Sequence, residues 1–402
     1  MNRIDPTSLA GAVALSALPW EVGSARPLRV ALVTGSYTYI ADGVALTLNR
    51  LVAYLRSKGV EVLVFTPVTA RPAFPHQGEV VPAPSMPLPL RPEYRLSLGL
   101  GGEGRRRLEA FDPDLIHIAT PDALGHDALA IGRRLGRPVV ASYHTRYETY
   151  LRFYGLGRLQ GVLRRHILRF YQSCREVYAP SPSMIDELTS QGLGDHVRLW
   201  ARGVDTDRFN PAKRRQAWRT VRGLGAEEVV VAFVGRLVRE KRLSTLVDAF
   251  ARLREAGAPV RPLIVGDGPE RASLQSALAD GHFTGHLSGD DLPDAYACAD
   301  IFAFPSDTET FGNVTLEAMA SGLPTVCADA TGSRSLVDPG VTGFLAPASD
   351  GEAFSDAISR LARDRNMRAR MGGAARARSL RFSWDETMAG LLSRYEALAT
   401  AA

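Results

Sequence analysis

Two glutamates stand eight positions apart around a glycine-containing turn in the segment PSDTETFGNVTLEAMASGLP. Glu309 falls in a loop after an apolar run, and Glu317 falls in a run that favours helix. Gly312, between them, lets a ligand approach the backbone closely, and the free N–H groups that open the helix attract an anion. This spacing suits a polyhydroxylated, negatively charged ligand such as a nucleotide sugar. An ordinary strand-to-helix turn with two surface glutamates is the alternative.

Two cations follow another apolar run, in the segment GRLVREKRL. Arg236 and Lys241 could neutralise a departing diphosphate if the strand before them ends in a cleft. The chain has three lysines among 48 basic residues, so a lysine here indicates a position where a compact ammonium is wanted. The alternative is a helix start with surface basic residues, which we expect to describe Arg239 and Arg242.

Three further positions lie where predicted strands end. Gly266 and Gly268, in the turn GDGP, leave backbone open to a ligand, and the following strand to Leu287 could form the edge that receives a nucleotide base. His144, in SYHTRYETY, comes just after a strand. A histidine in such a place is either a satisfied structural residue or a group that faces the ligand cleft.

Paired carboxylates elsewhere do not predict a metal site. Asp112 and Asp114 bracket a proline, and Asp205 and Asp207 lie in an interdomain link, so we interpret all four as turn and capping residues. The chain has no HExxH or CxxC spacing. A glycosidase pair would need two carboxyls facing one bond, whereas one glutamate of the 309–317 segment lies about two helical turns beyond the other.

The elements that must position these residues indicate an α/β fold. Apolar strands alternate with amphipathic helices, and the pattern restarts midway, which predicts two doubly wound Rossmann-like domains facing a central cleft. We expect a leader over residues 1–27, an N-terminal Rossmann-like domain over 28–205 and a C-terminal Rossmann-like domain over 206–380. Residues 381–402 should form a helix that crosses back to the first domain. The proline-rich stretch 67–92 predicts an irregular loop.

Composition limits the class of protein. No run of 18 apolar residues occurs, so no membrane-spanning helix is expected. Cys174, Cys298 and Cys327 are scattered, which predicts buried free thiols in a reducing cytosol.

Positive charge is concentrated in the first half of the chain. Residues 1–200 carry 23 Arg and Lys against 17 Asp and Glu, a balance of +6, whereas the rest of the chain carries 25 against 26, a balance of −1. The segment 151–175 reads as a basic amphipathic helix after Gly157, which suits an anionic membrane surface; a core-packing helix with a solvated arginine face is the alternative. The candidate acceptor or membrane residues are Arg146, Tyr150, Arg164, Arg165 and Arg169.

Together the motifs resemble the retaining GT-B glycosyltransferases of family 4, over about residues 28–385. The most specific piece is the E-x7-E segment, and the narrower match is to the sulfoquinovosyl-diacylglycerol synthases and the GDP-mannose-dependent lipid mannosyltransferases. The supporting pieces are Gly235-Arg236 with Lys241, VGDGPE at 265–270, residues 283–306, Asp42-Gly43-Val44, Ser142-Tyr143-His144-Thr145 and Arg202-Gly203-Val204-Asp205.

The resemblance implies a role for each of these residues. It also implies that the first domain binds the acceptor and the second the nucleotide sugar. Arg236 and Lys241 would bind the donor diphosphate, Glu309 and His144 the donor sugar, and Glu317 the ribose hydroxyls. Gly43 falls on the phosphate-side loop, where the family often has two glycines and this chain has Asp42-Gly43. The residues whose backbone would bind sugar and phosphate are Phe311, Gly312, Asn313 and Val314.

We therefore expect a metal-independent, retaining transferase with no cofactor. It would move a hexose from a UDP- or GDP-sugar to a lipid acceptor at the cytoplasmic membrane face, as a peripheral protein. A soluble or polysaccharide acceptor, or a sugar-nucleotide epimerase of the same fold, remains an alternative. No nucleic-acid motif supports a nucleic-acid partner despite the sequence pI of 9.2. Donor, acceptor and oligomeric state are open.

Overall fold

The computed structural model describes residues 26–88, 91–150, 155 and 157–401. Within these ranges, seven strands form a first sheet in the order β3-β2-β1-β6-β7-β8-β9, and every neighbouring pair is parallel. A separate antiparallel hairpin joins β4 to β5. The strands are β1 (Arg29–Val33), β2 (Glu61–Pro67), β3 (Glu79–Ala83), β4 (Ser85–Leu88), β5 (Arg91–Ser97), β6 (Leu115–Ile118), β7 (Val139–Ser142), β8 (Glu176–Ala179) and β9 (Val197–Leu199).

The described part of the second half forms a six-stranded sheet in the order β12-β11-β10-β13-β14-β15, again wholly parallel. Its strands are β10 (Val229–Val234), β11 (Val260–Val265), β12 (His282–Gly285), β13 (Ile301–Phe304), β14 (Thr325–Ala328) and β15 (Gly343–Ala346). In both sheets the first strand in sequence lies between the second and the fourth of the sheet's strands. This is the doubly wound order, so the predicted α/β fold class of two Rossmann-like domains is confirmed.

Helices connect the strands and cover the sheets. The first of them begins at Gly43, because the Asp42 side chain accepts hydrogen bonds from the N–H groups of Val44 and Ala45. The α-helices are α1 (Gly43–Ser57), α2 (Gly101–Phe111), α3 (Ala123–Arg134), α4 (Tyr147–Tyr150), α5 (Gln160–Gln172), α6 (Pro182–Leu188), α7 (Gln216–Val221), α8 (Leu243–Glu255), α9 (Arg271–Ala277), α10 (Asp291–Ala297), α11 (Asn313–Ala320), α12 (Thr331–Arg334), α13 (Gly351–Arg363), α14 (Arg365–Ser379) and α15 (Trp384–Thr400).

The structure contradicts the irregular loop predicted for the proline-rich stretch 67–92. It contains β3 and β4 and the start of β5. Pro82 is tolerated because β3 is the edge strand of the first sheet, where a missing N–H costs little. The prolines therefore mark an edge strand and a hairpin.

The last helix, α15, packs on the first sheet. Met388, Leu391, Tyr395 and Leu398 share a buried cluster with apolar residues of β1, β2 and α1. The leader prediction lies outside the described residues except for Arg26 and Pro27. The three cysteines are buried and free, as predicted.

Candidate active site

The strand ends of the two sheets bring most of the predicted site residues to one region. His144 follows β7, Arg236 follows β10, Gly266 follows β11, and Glu309 follows β13. Hydrogen bonds cross from one domain to the other at this place: the Thr310 hydroxyl donates to the backbone carbonyl of His144 at 2.9 Å. The loop before α11 therefore lies directly beside the end of β7.

Lys241 and Glu309 form an ion pair. Their side chains are 12% and 22% exposed, so solvent screens the pair only weakly. Burial alone would raise the pKa of the Glu309 carboxyl, but Lys241 outweighs it, with help from the Ser306 hydroxyl at 3.1 Å and the charge of Arg236, and the pKa is lowered. Glu309 is thus an anion held by a cation.

Arg236 reaches across the cleft to the first domain. Its Nη1 donates to the hydroxyl of Tyr94, on β5, at 2.7 Å. The hairpin that contains Tyr94 therefore covers the side of the site where Arg236 lies. A diphosphate bound by Arg236 would meet this hairpin.

Two helix starts face each other across the cleft. α11 begins after Gly312, which has φ 97°, and no side chain caps its N-terminus. A Cβ placed on Gly43, the first residue of α1, would lie 3.2 Å from Nδ2 of Asn313. This junction presents the uncapped N–H groups of α11, which attract anions, whereas the Asp42 carboxyl caps α1. It brings the predicted residues Gly43, Gly312 and Asn313 together.

Gly266 and Gly268 are required by packing between loops. A Cβ on Gly266, at φ 135°, would lie 1.9 Å from the carbonyl oxygen of Gly235, and one on Gly268 would lie 2.4 Å from that of Leu237. Only glycine allows these two loops to touch. The glycines therefore set the position of the backbone beside Arg236, whatever ligand they also contact.

Glu317 has a different environment from Glu309. It accepts a hydrogen bond from the Tyr296 hydroxyl at 2.9 Å. Burial raises the pKa of Glu317 to about 7, although Tyr296 and the charges of Arg208 and Arg50 oppose the shift. The carboxyl is therefore poised to change its charge near neutral pH.

His144 has both ring nitrogens bonded within the protein. Nδ1 lies 2.9 Å from Nη2 of Arg202, and Nε2 lies 2.7 Å from the hydroxyl of Ser142. Burial, with the charge of Arg202, keeps the pKa of His144 well below its usual value. Because a guanidinium only donates, Nδ1 must accept, so the ring is neutral with its proton on Nε2.

The side chains of the remaining predicted donor residues pack into the second domain. Phe311 is buried, and its ring packs against Phe382 at a centroid distance of 6.1 Å, so only its backbone is available to a ligand. Val314 and Leu287 are partly buried and pack against the hydrophobic core of the second domain. Leu287 follows Gly285, whose carbonyl accepts from the N–H of Gly266 at 2.8 Å.

Arg146 is placed differently from what a membrane contact needs. It pairs with Glu187, and its Nη1 donates to the hydroxyl of Thr331, in the second domain, at 3.2 Å. With a side chain only 17% exposed, it belongs to the contact between domains. Tyr150 is the last residue of α4; its side chain lies outside the described part of the structure.

The other predicted membrane residues lie together on α5. Arg164, Arg165 and Arg169 are exposed and border a surface pocket of about 500 Å³. Val162, within the same surface, is 68% exposed. The further lining residues are Arg158, Gly161, Leu168, Gln172 and Gln191. No helix in the described ranges is both long and apolar enough to span a bilayer.

One member of each aspartate pair lies at a turn or helix end, and Asp114 instead accepts from the N–H of Arg29 at 2.9 Å. Asp112 ends α2 in the left-handed region with φ 44°, and Asp205 accepts from the N–H of Arg208 at 2.9 Å. Among the described residues, no group of three His, Cys, Asp or Glu side chains is arranged to hold a metal ion.

Sequence reasoning missed several contributors. Tyr94 and Tyr296 carry no local motif, and only the fold brings them to Arg236 and Glu317. Arg242, expected to be a surface basic residue, donates to Asp307 at 2.7 Å and holds the loop that contains Glu309. Arg242 also has a left-handed φ of 50°, which the sequence pattern does not indicate.

Two family models match the chain. The model for glycosyltransferase family 4 matches residues 41–208, and the model for glycosyl transferases group 1 matches residues 214–378. They meet near the boundary between the two sheets and together span most of the described chain.

Known proteins are similar over nearly the whole length. A GDP-mannose-dependent alpha-mannosyltransferase of Mycobacterium tuberculosis (strain CDC 1551 / Oshkosh) is 38% identical, over 92% of this chain and 97% of its own. Sulfoquinovosyl transferase SQD2 of Arabidopsis thaliana is 34% identical, over 89% and 71%. An alpha-monoglucosyldiacylglycerol synthase of Streptococcus pneumoniae (strain ATCC BAA-255 / R6) is 26% identical, over 74% and 70%.

A solved structure has the same fold. The sucrose-phosphate synthase of Thermosynechococcus elongatus superimposes with a TM-score of 0.77, at 22% identity, over 93% of this chain and 100% of its own. This likeness confirms the GT-B arrangement of two facing Rossmann-like domains. With the family models and the mannosyltransferase relative, it means that the chain is a glycosyltransferase and belongs to family 4.

Proposed function

We propose that this protein is a retaining transferase that moves a hexose from a UDP- or GDP-sugar to a lipid acceptor. The observation that carries the proposal is the pocket around Lys241 and Glu309. It combines an ion pair shielded from solvent, Arg236 nearby, and the uncapped start of α11 facing Gly43. Such a pocket stabilises the negative charge of a departing nucleoside diphosphate.

The transfer step uses these groups in turn. The bond between sugar C1 and the diphosphate oxygen lengthens first, while Lys241, Arg236 and the α11 N–H groups accept the developing charge. The acceptor hydroxyl then attacks C1 from the face that the leaving group vacates, which retains the anomeric configuration. The hydroxyl proton passes to the departing phosphate oxygen.

The protein groups at the site support a proton transfer to phosphate. His144 has both ring nitrogens engaged, and Glu309 already accepts from Lys241 and Ser306. Neither group is held ready to take a proton from the acceptor. We therefore propose that the step uses no protein base, and that Lys241, Arg236 and the α11 N–H groups stabilise the leaving charge in place of a metal ion.

A lipid acceptor is supported by two separate observations. One relative is named alpha-monoglucosyldiacylglycerol synthase, a name that specifies a glycosylated diacylglycerol as its product. In addition, α5 presents Arg164, Arg165 and Arg169 next to the exposed Val162. Arginines beside exposed apolar side chains suit the boundary between anionic headgroups and acyl chains. We propose that α5 holds the protein on the cytoplasmic face of a membrane.

The deciding experiment is a donor panel with a total lipid extract, read by mass spectrometry. GDP-mannose is the first donor to test, because a relative that is 38% identical over almost its full length depends on it. UDP-glucose, UDP-glucuronate and UDP-sulfoquinovose complete the panel. The proposal predicts a glycolipid that gains one hexose unit, with an α linkage by NMR. Transfer only to soluble sugars, or conversion of the donor without an acceptor, would reject the lipid assignment.

A further inference from the structure

Arg202, in the segment ARGVD, carries a buried charge that the proposed transfer step does not use. Its side chain is 4% exposed. Nη1 donates to the carbonyl oxygens of Trp200 and Ala201, at 2.7 and 3.1 Å, and Nη2 donates to His144. Within the described residues no carboxylate pairs with it. Burying a guanidinium costs free energy unless its N–H groups are hydrogen-bonded. The bond to His144 therefore helps to stabilise the buried charge of Arg202.

A chain of hydrogen bonds continues from His144 into the core. Since His144 carries its proton on Nε2, the Ser142 hydroxyl must accept there, and we infer that its own proton is donated to Nε2 of His117, 2.9 Å away. His117 then carries its proton on Nδ1, where it donates to the hydroxyl of Tyr395. The donor-only guanidinium of Arg202 thus fixes the direction of the first two bonds, and the direction of the Ser142 hydroxyl sets the other two.

The far end of this chain lies on the C-terminal helix. Tyr395 is fully buried on α15, and His117 packs edge-on against it at a centroid distance of 5.8 Å. The path therefore runs from a loop of the cleft, through β7 and β6, to the last helix of the protein. If Tyr395 lost its hydroxyl, Nδ1–H of His117 would lose its acceptor in a buried place.

We propose that Arg202 and Tyr395 are positioning residues that hold the His144 ring, with its proton on Nε2, against the cleft. Docking of α15 on the first domain is thereby coupled to the geometry of the site. That this geometry serves sugar transfer rests on the proposed function. The hydrogen-bond chain itself does not depend on that function.

The first test reads the tautomers directly. In the full-length protein labelled with ¹⁵N-histidine, long-range ¹H–¹⁵N spectra report which ring nitrogen bears the proton. The chain has eight histidines, and His117→Gln and His144→Gln identify the two signals. At pH 7.5 we expect neutral rings, protonated on Nε2 for His144 and on Nδ1 for His117. Either ring in the opposite tautomer, or charged, would overturn the proposal.

The second test separates positioning from stability. Tyr395→Phe removes the acceptor, whereas Tyr178→Phe removes a hydroxyl of the same cluster that donates to Glu176 instead. For Tyr395→Phe we expect kcat to fall about three- to tenfold with little change in the donor KM, because the variant loses one hydrogen bond. Tyr178→Phe should keep wild-type kcat and histidine tautomers. Equal kcat and equal tautomers in wild type and Tyr395→Phe would refute the coupling to α15.

A conservative change at the other end provides a rescue. Arg202→Lys keeps a charged donor towards Nδ1 of His144, and Arg202→Met does not. We expect the lysine variant to retain the Nε2–H signal of His144 and more kcat than the methionine variant. The same loss in both would argue against positioning by a donor. Absence of transfer in the wild-type donor panel would reject only the proposed function. The tautomer measurement would still test the hydrogen-bond chain from Arg202 to Tyr395.

Discussion

Replacing Glu317 by glutamine should stabilise the unliganded protein, and by more at high pH than at low pH. The carboxyl is buried beside a tyrosine hydroxyl, and its pKa is raised to about 7 from an ordinary value near 4.5. A folded-state pKa above the unfolded one means that the folded state binds the extra proton, so stability falls as pH rises through this range.

The size of the effect follows from the interval between the two pKa values. At about 1.36 kcal/mol for each pH unit, the cost of ionising Glu317 grows from under about 1 kcal/mol at pH 5 to about 3 kcal/mol at pH 8. Glutamine keeps the hydrogen bond to Tyr296 without the charge. We therefore expect Glu317→Gln to raise the melting temperature by several degrees at pH 8 and to change it little at pH 5.

Glu309→Gln is the matched control, because it should act with the opposite sign. Its carboxylate is held by Lys241, and removing it leaves that ammonium unpaired, which costs about 3 kcal/mol or less in this half-shielded place. Differential scanning calorimetry of both variants at pH 5 and pH 8, without nucleotide, measures the two effects. If Glu317→Gln destabilises the protein at pH 8, or shifts it equally at both pH values, the assigned environment of Glu317 is wrong.

The same substitution should weaken nucleotide binding. If Glu317 holds the ribose hydroxyls, loss of its charge removes hydrogen bonds to a charged group, worth about 1.5–3 kcal/mol, or roughly a 10- to 100-fold rise in Kd. Calorimetric titration of UDP and GDP measures it. Wild-type affinity should itself fall as pH drops below about 7. An unchanged Kd in the variant would remove the ribose role.

The remaining predictions concern the leaving group, the metal and the membrane. Lys241→Ala should lower kcat by about 100-fold or more, as for loss of one group that stabilises developing charge, while Lys213→Ala, at an exposed pair with Asp290, should not; equal turnover in the two would end the leaving-group role. Turnover should persist in excess chelator, and loss that magnesium restores would contradict metal independence. Arg164→Glu with Arg165→Glu should abolish sedimentation with anionic liposomes and leave melting unchanged; wild-type binding to neutral liposomes at the same level would argue against an electrostatic contact.

The regular pattern of the chain predicts most of the fold. Apolar strands ending in glycine or polar residues locate β1, β10, β11 and β13 and the site at their carboxyl ends, because buried parallel strands have a distinctive composition. The hairpin of β4 and β5 escaped prediction, since its prolines resemble those of a loop. β3 escaped prediction as well, because a proline such as Pro82 is tolerated only on an edge strand, and whether a strand lies at the edge depends on the assembled sheet.

The sequence does not reveal the contacts at the site that join residues far apart in the chain. Lys241 and Glu309 could each be singled out, but their ion pair depends on the packing of two loops. The sequence does not distinguish the two glutamates of the E-x7-E segment, yet Lys241 keeps Glu309 charged, whereas burial raises the pKa of Glu317 to about 7. Tyr94 contacts Arg236 over 142 positions, a separation at which no local signal exists.

The path of the backbone between the lobes restricts how they can move. The chain leaves the first domain near Val204 and returns near Phe382, and these two crossings are tied by a hydrogen bond from the Val204 N–H to the Phe382 carbonyl at 3.0 Å. The second domain, or lobe, is in effect an insertion within the first, and the two connecting segments lie side by side. Any opening of the cleft would pivot about that attachment, because the backbone crosses between the lobes there. A gene fragment that stops before α15 would leave an apolar face of the first lobe uncovered.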